Sequence, residues 1–135
     1  MRVFFYGLFM DETLLIRKGV TPDNAIIGFV EGFVLRIGER ATLMRSHDGK
    51  AYGVVMDILP NDADALYSEA SVADYEPEPV TVELMDGTKV VATCYNLPSN
   101  KVTGTNKAYA ESLLEVATKL QLPESYLDQI GQSAK

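Results

Sequence analysis

Glu69 stands at the end of a helical stretch, Asn61–Ala70, that Pro60-Asn61-Asp62 opens. Leu66, three residues earlier, puts Glu69 on the face that packs inward, with little room for a cationic partner. A carboxylate at a helix C-terminus among apolar neighbours has its charged form disfavoured twice, by the helix dipole and by desolvation. That environment suits a general acid or base near neutral pH. A solvated surface glutamate fits the same residues, and both readings stay open at this point. The second candidate is Tyr6-Gly7-Leu8-Phe9-Met10, where an apolar strand runs into a glycine and then a helix. Such a turn leaves backbone N–H groups unpaired and able to hold a carboxylate or an oxyanion. An ordinary strand–helix connection also accounts for the pattern.

Other arrangements that carry chemistry are missing. No G-x-S-x-G elbow, GK[ST] loop or G-x-G-x-x-G occurs. Ser46-His47-Asp48 are adjacent, whereas a triad draws its members from separate elements, so they read as a solvated hairpin tip. Cys94 lies in the apolar run Val90–Tyr95 and reads as a structural thiol. One cysteine and one histidine leave neither a disulfide, nor a cysteine-based zinc site, nor a histidine pair. No metal and no cofactor is expected. Carboxylates and backbone amides remain as the working groups.

The scaffold that must position them is small. With 135 residues, of which 47% are hydrophobic, the chain has the size of a single domain, 1–135. A chain this long buries roughly two-thirds of its unfolded surface without staples. Nineteen acidic against 12 basic residues give a net charge of −7, so a nucleic-acid partner is not expected. Apolar runs such as Ala25–Val30 and Gly53–Met56 are far too short to span a membrane, and Met1–Tyr6 reads as a strand rather than a leader. These features point to a cytoplasmic protein, and its acidic surface leaves a homodimer open.

Arg2–Tyr6 reads as a buried strand ended by Gly7. Asp11 caps a short helix over Glu12–Lys18, stopped by Gly19 and Pro22. Between Ala25 and Ile58, Val, Ile, Phe and Leu punctuated by glycines predict several short strands with bulges. Asp48-Gly49 and Asp86-Gly87 are hairpin signals. Pro77 and Pro79 delay the next strand to about Val80. Tyr109, Leu113, Val116 and Leu120 are spaced for the buried face of a long helix over Asn106–Leu120, and Glu124–Ile130 adds a short one before a frayed tail, Gln132–Lys135. The sum is an α+β fold: a curled, mostly antiparallel sheet with helices around it.

The order of these features resembles the γ-glutamylcyclotransferase-like proteins. Tyr6-Gly7-Leu8-Phe9 after the first strand is similar to their Tyr-Gly-Ser/Thr-Leu loop. Ala65–Ala70 is similar to their mid-chain segment with Glu69 in register, and Tyr75 follows before a strand. Leu122-Pro123 and Tyr126-Leu127 resemble the C-terminal helical part of some members. The resemblance implies a small β-barrel-like sheet with packed helices. It also implies cyclisation of a γ-glutamyl amide to 5-oxoproline with release of an amine or amino acid. Glu69 would be the acid/base, and Tyr6, Gly7, Leu8, Phe9 and Tyr75 would bind substrate. Departures are Leu8 for Ser or Thr, Phe9 for Leu, Tyr67 for Asp, Ala70 for Gly, and Glu76 where a basic residue often stands. A non-catalytic small-molecule-binding domain of the same fold is the first alternative, and a related amide-cleaving hydrolase the second.

Overall fold

The computed structural model describes residues 1–135. Five strands close into a barrel in the order β1-β3-β2-β4-β5. They are β1 (Arg2–Phe5), β2 (Asp23–Ile37), β3 (Ala41–Asp57), β4 (Glu76–Leu84) and β5 (Lys89–Asn96). Every neighbouring pair is antiparallel except β1 with β5, which run parallel at Val3 and Thr93. The mixed, mostly antiparallel sheet with helices around it is the α+β architecture the sequence predicts. Closure gives every strand a neighbour on both sides over at least part of its length.

Three details differ from expectation. The glycine-punctuated region forms two long strands rather than several short ones, and their turn is Gly38-Glu39-Arg40. That turn is held by Gly38 N–H on the Arg40 carbonyl (3.0 Å) and Glu39 N–H on the Thr103 carbonyl (2.7 Å). Asp48-Gly49 is therefore no hairpin. The β2–β3 register shifts between Glu31↔Lys50 and Phe33↔Arg45, so Ser46–Gly49 form a bulge opposite Gly32. A Cβ on Gly49 would lie 2.4 Å from the Phe33 carbonyl oxygen, so the glycine serves close backbone approach, not a turn. Asp86-Gly87 does close the β4–β5 hairpin, with Thr88 N–H on Asp86 Oδ1 at 2.9 Å.

The second difference is that β4 starts at Glu76 and takes in both prolines, registered with Tyr95 and Thr93 of β5. On its other side β4 meets β2 only at Glu83–Leu84, so the proline end acts as an edge and needs no second ladder.

The third concerns helices α1 (Glu12–Arg17), α2 (Pro60–Leu66), α3 (Lys107–Lys119) and α4 (Glu124–Ser133). Asp11 caps α1 through Thr13 N–H, as its position predicts. In α3 the fully buried residues are Ala110, Leu113 and Ala117, whereas Tyr109, Val116 and Leu120 are half-buried. α3 packs against α4 and the Leu8–Met10 turn, and the small alanines on its buried face let it lie close. α4 runs three residues past Ile130, through what the sequence reads as tail, and buries Tyr126 and Ile130. Thirty buried residues from the barrel and helices form one apolar cluster. No helix is long and apolar enough to cross a membrane.

Candidate active site

A cavity of about 370 Å³ lies where the loop after β1, the end of α1, the Gly38–Ala41 turn, the Tyr67–Tyr75 segment and α3 converge. All six residues singled out from the sequence line it: Tyr6, Gly7, Leu8, Phe9, Glu69 and Tyr75. Two-thirds of its lining residues are hydrophobic, and the charged ones are Lys18, Glu39, Arg40 and Glu69.

The loop follows from β1. Phe4 and Phe5 anchor the strand in the core, and the chain leaves it through Tyr6, whose hydroxyl donates to the Tyr95 carbonyl at 2.7 Å. Leu8–Met10 then make a single 3-10 turn. The Gly7 amide donates to no group in the chain, while the Leu8 amide donates to Tyr109 Oη at 3.3 Å. The same hydroxyl would lie 2.6 Å from a Cβ on Gly7, so glycine is the residue that lets α3 approach the loop. Burial pushes the Tyr109 phenol up to about 12, with the Leu8 amide pulling in the opposite direction. It stays neutral across the physiological range, its oxygen engaged by Leu8 and its proton given to no acceptor in the chain.

Tyrosines build the rest of the polar wall. Tyr67 stacks on Tyr95 with ring centroids 3.8 Å apart and meets the edge of Phe9 at 5.9 Å. Phe9 also sits edge-on to Phe5 at 6.0 Å, so the phenylalanine standing for the usual leucine extends the aromatic wall. Tyr75 donates its hydroxyl to the Ala41 carbonyl. Burial, with the neighbouring phenols and the Cys94 thiol adding to it, pushes Tyr6 and Tyr67 well above the ordinary tyrosine value.

Glu69 is not where the sequence puts it. α2 ends at Leu66, with Tyr67 turned in to stack on Tyr95 and the Ser68 hydroxyl bonded back to the Ala65 carbonyl at 2.7 Å. Glu69 therefore stands beyond the helix, at the start of the 3-10 turn Ala70–Val72, with extended backbone. Its side chain is 42% exposed, and both carboxylate oxygens lie 3.0 Å from Lys18 Nζ. The expected apolar, cation-free surroundings are corrected by that ion pair.

Lys18 escaped the sequence reading because nothing local links it to a residue 51 positions away; the end of α1 delivers it to the cavity. Arg40 was missed likewise. It lines the cavity from the β2–β3 turn and holds Asp74 at 3.1 Å, tying the Tyr67–Tyr75 segment to the hairpin. Glu76 is exposed at the start of β4 and takes no part in the cavity. Elsewhere, no cluster of His, Cys, Asp or Glu is grouped to hold a metal ion.

Residues 50–130, more than half the chain and including Glu69 and Tyr75, match the model of the AIG2-like family. The chain belongs to the AIG2-like family. No curated protein sequence matches this AIG2-like chain. Solved structures share its fold at low identity. YkqA from Bacillus subtilis superposes with a TM-score of 0.80 at 18% identity, over 99% of this chain and 54% of that one. A γ-glutamyl cyclotransferase gives 0.74 at 18% identity, covering 96% of this chain and 85% of that one. A yeast γ-glutamyl cyclotransferase specific to glutathione gives 0.69 at 14% identity, covering 99% and 95%. The AIG2-like chain thus has the γ-glutamyl cyclotransferase fold. The matched span begins after the Tyr6–Phe9 loop, so the loop joins the AIG2-like portion through the barrel rather than through that match.

Proposed function

We propose that this AIG2-like protein cyclises a γ-glutamyl amide to 5-oxoproline, releasing an amine or amino acid. The observation that carries it is that Glu69 and the free Gly7 amide line one cavity, from elements far apart in sequence. The substrate's α-ammonium meets Glu69, which takes a proton and frees the amine. That nitrogen attacks the γ-carbonyl carbon, and the γ-oxygen gains negative charge. The Gly7 N–H and the Tyr109 O–H are the donors on hand for it, the latter replacing the hydroxyl lost with Leu8. Glu69 returns protons to the departing nitrogen as the amide C–N bond breaks. Two protons leave the α-nitrogen and two reach the leaving amine, so no water is consumed. Attack within one molecule needs mainly the right fold of the glutamyl chain, which a cavity of this size imposes. The chemistry written this way uses no metal and no cofactor. A single buried thiol without a disulfide suits the cytoplasm, where we place it.

One observation favours a binding module instead: both Glu69 oxygens are already occupied by Lys18. Incubation with a panel of γ-glutamyl amino acids and γ-glutamyl amines, scored for 5-oxoproline, separates the two. Stoichiometric 5-oxoproline and amine support the enzyme. Saturable binding of panel members with no product supports the module.

A further inference from the structure

Lys18 has no role in the chemistry above, yet it holds the carboxylate on which that chemistry depends. It stands at the C-terminal end of α1, and its side chain, like that of Glu69, is only partly covered (30% and 42% exposed). Ion pairs this exposed are weak and readily exchange partners. The cavity wall therefore presents one positive and one negative group 3.0 Å apart, each free to turn to a new partner. An α-amino acid head group carries the complementary pair, an ammonium and a carboxylate on one carbon.

Resting on the γ-glutamyl reading, we propose that Lys18 and Glu69 together recognise the substrate's α-amino acid head, Glu69 taking the ammonium and Lys18 the α-carboxylate. The other charges of the cavity favour this division. Arg40, the second cation on the wall, stands beside Asp74 at 3.1 Å, whereas Lys18 Nζ lies 3.0 Å from both oxygens of the carboxylate that takes the ammonium. Glu39 is an anion with no ion-pair partner and repels a carboxylate. The Gly7 amide is engaged by the γ-oxygen. Lys18, already beside the carboxylate that takes the ammonium, is the cation placed to meet a carboxylate on the same carbon, and its flexible stem lets the charge follow it. Lys18 thus sets specificity: γ-glutamyl compounds with a free α-carboxylate are accepted, and those with an ester or amide there are refused.

Calorimetric titration with 2-amino-3-(N′-ethylureido)propionate tests this. It is a urea isostere of γ-glutamylethylamine whose carbonyl resists cyclisation, so binding is read without turnover. Its α-methyl ester is the comparison. Wild type should prefer the free acid about 10- to 100-fold, the range for one hydrogen bond between charged groups. Lys18→Met should lose that preference by weakening the free acid while leaving the ester unchanged, and Lys18→Arg should keep most of it. Lys18→Gln replaces the Met variant if thermal unfolding reports a loss of structure. Wild-type binding without a preference, or a preference that survives Lys18→Met, overturns the role of Lys18 alone. Saturable binding of neither compound to wild type overturns the γ-glutamyl reading with it.

Discussion

The Tyr109 hydroxyl oxygen lies 3.3 Å from the Leu8 amide nitrogen, bridging 101 residues of sequence, and it fills the space a Cβ on Gly7 would need. One hydroxyl therefore locks the first loop of the chain to its longest helix. Gly7→Ala should force the two apart and cost about 1–3 kcal/mol, the usual penalty for overpacking. Tyr109→Phe removes the obstructing atom, so the double variant should recover part of that loss. Urea unfolding of the four proteins measures the coupling; strictly additive losses would mean that the contact has no energetic weight.

Tyr109→Phe alone should do two separable things. An unpaired Leu8 amide should lower stability by about 1–2 kcal/mol. Loss of a neutral donor to the γ-oxygen should lower kcat on the order of 100-fold with little change in KM. A KM effect with kcat intact would assign the hydroxyl to substrate binding instead.

Much of this arrangement was legible in the sequence, and what was not has a common cause. The first strand, read over Arg2–Tyr6 and ending one residue earlier at Phe5, the α1 cap at Asp11 and the Asp86-Gly87 hairpin rest on local chemistry. The Asp48-Gly49 signal misled because a glycine needed for close approach to Phe33 is spelled like a turn. Glu69 lines the cavity, but its surroundings differ from the apolar, cation-free ones expected. Tyr67 leaves the helix to stack on Tyr95, and Lys18 arrives from α1. Both are contacts between distant segments, to which periodicity is blind.

High pH should unfold the protein through its buried phenols. Tyr109 titrates near 10 in the unfolded chain and about 12 in the fold. Between those values the native state keeps the proton that the unfolded chain releases. Its contribution is thus complete below pH 10 and lost as pH rises to 12. Each such phenol steepens the loss by about 1.4 kcal/mol per pH unit, and Tyr6 and Tyr67, raised by the same burial, act in the same direction. Urea midpoints measured from pH 8 to 12 should be level to about pH 9 and then fall. A level profile to pH 12 would contradict the burial of these side chains.

Cys94 should resist modification. It is fully buried in β5, and burial, aided by the Glu78 carboxylate, pushes its thiol up to about 12. At pH 8 a thiol-specific reagent such as iodoacetamide should label the native protein far more slowly than the urea-unfolded chain. Equal rates would place the thiol at the surface.

The central claim is that Glu69 moves protons during cyclisation of a γ-glutamyl amide. Its direct test is the rate of 5-oxoproline release by Glu69→Gln, on a substrate that wild type turns over. The exchange keeps the size and hydrogen-bonding capacity of the side chain and removes its negative charge together with its ability to accept a proton. The rate should fall on the order of 10²–10⁴-fold. Stability should stay within about 1 kcal/mol of wild type, because the Lys18 pair it loses is partly exposed. A variant that folds and releases 5-oxoproline at the wild-type rate would contradict the account.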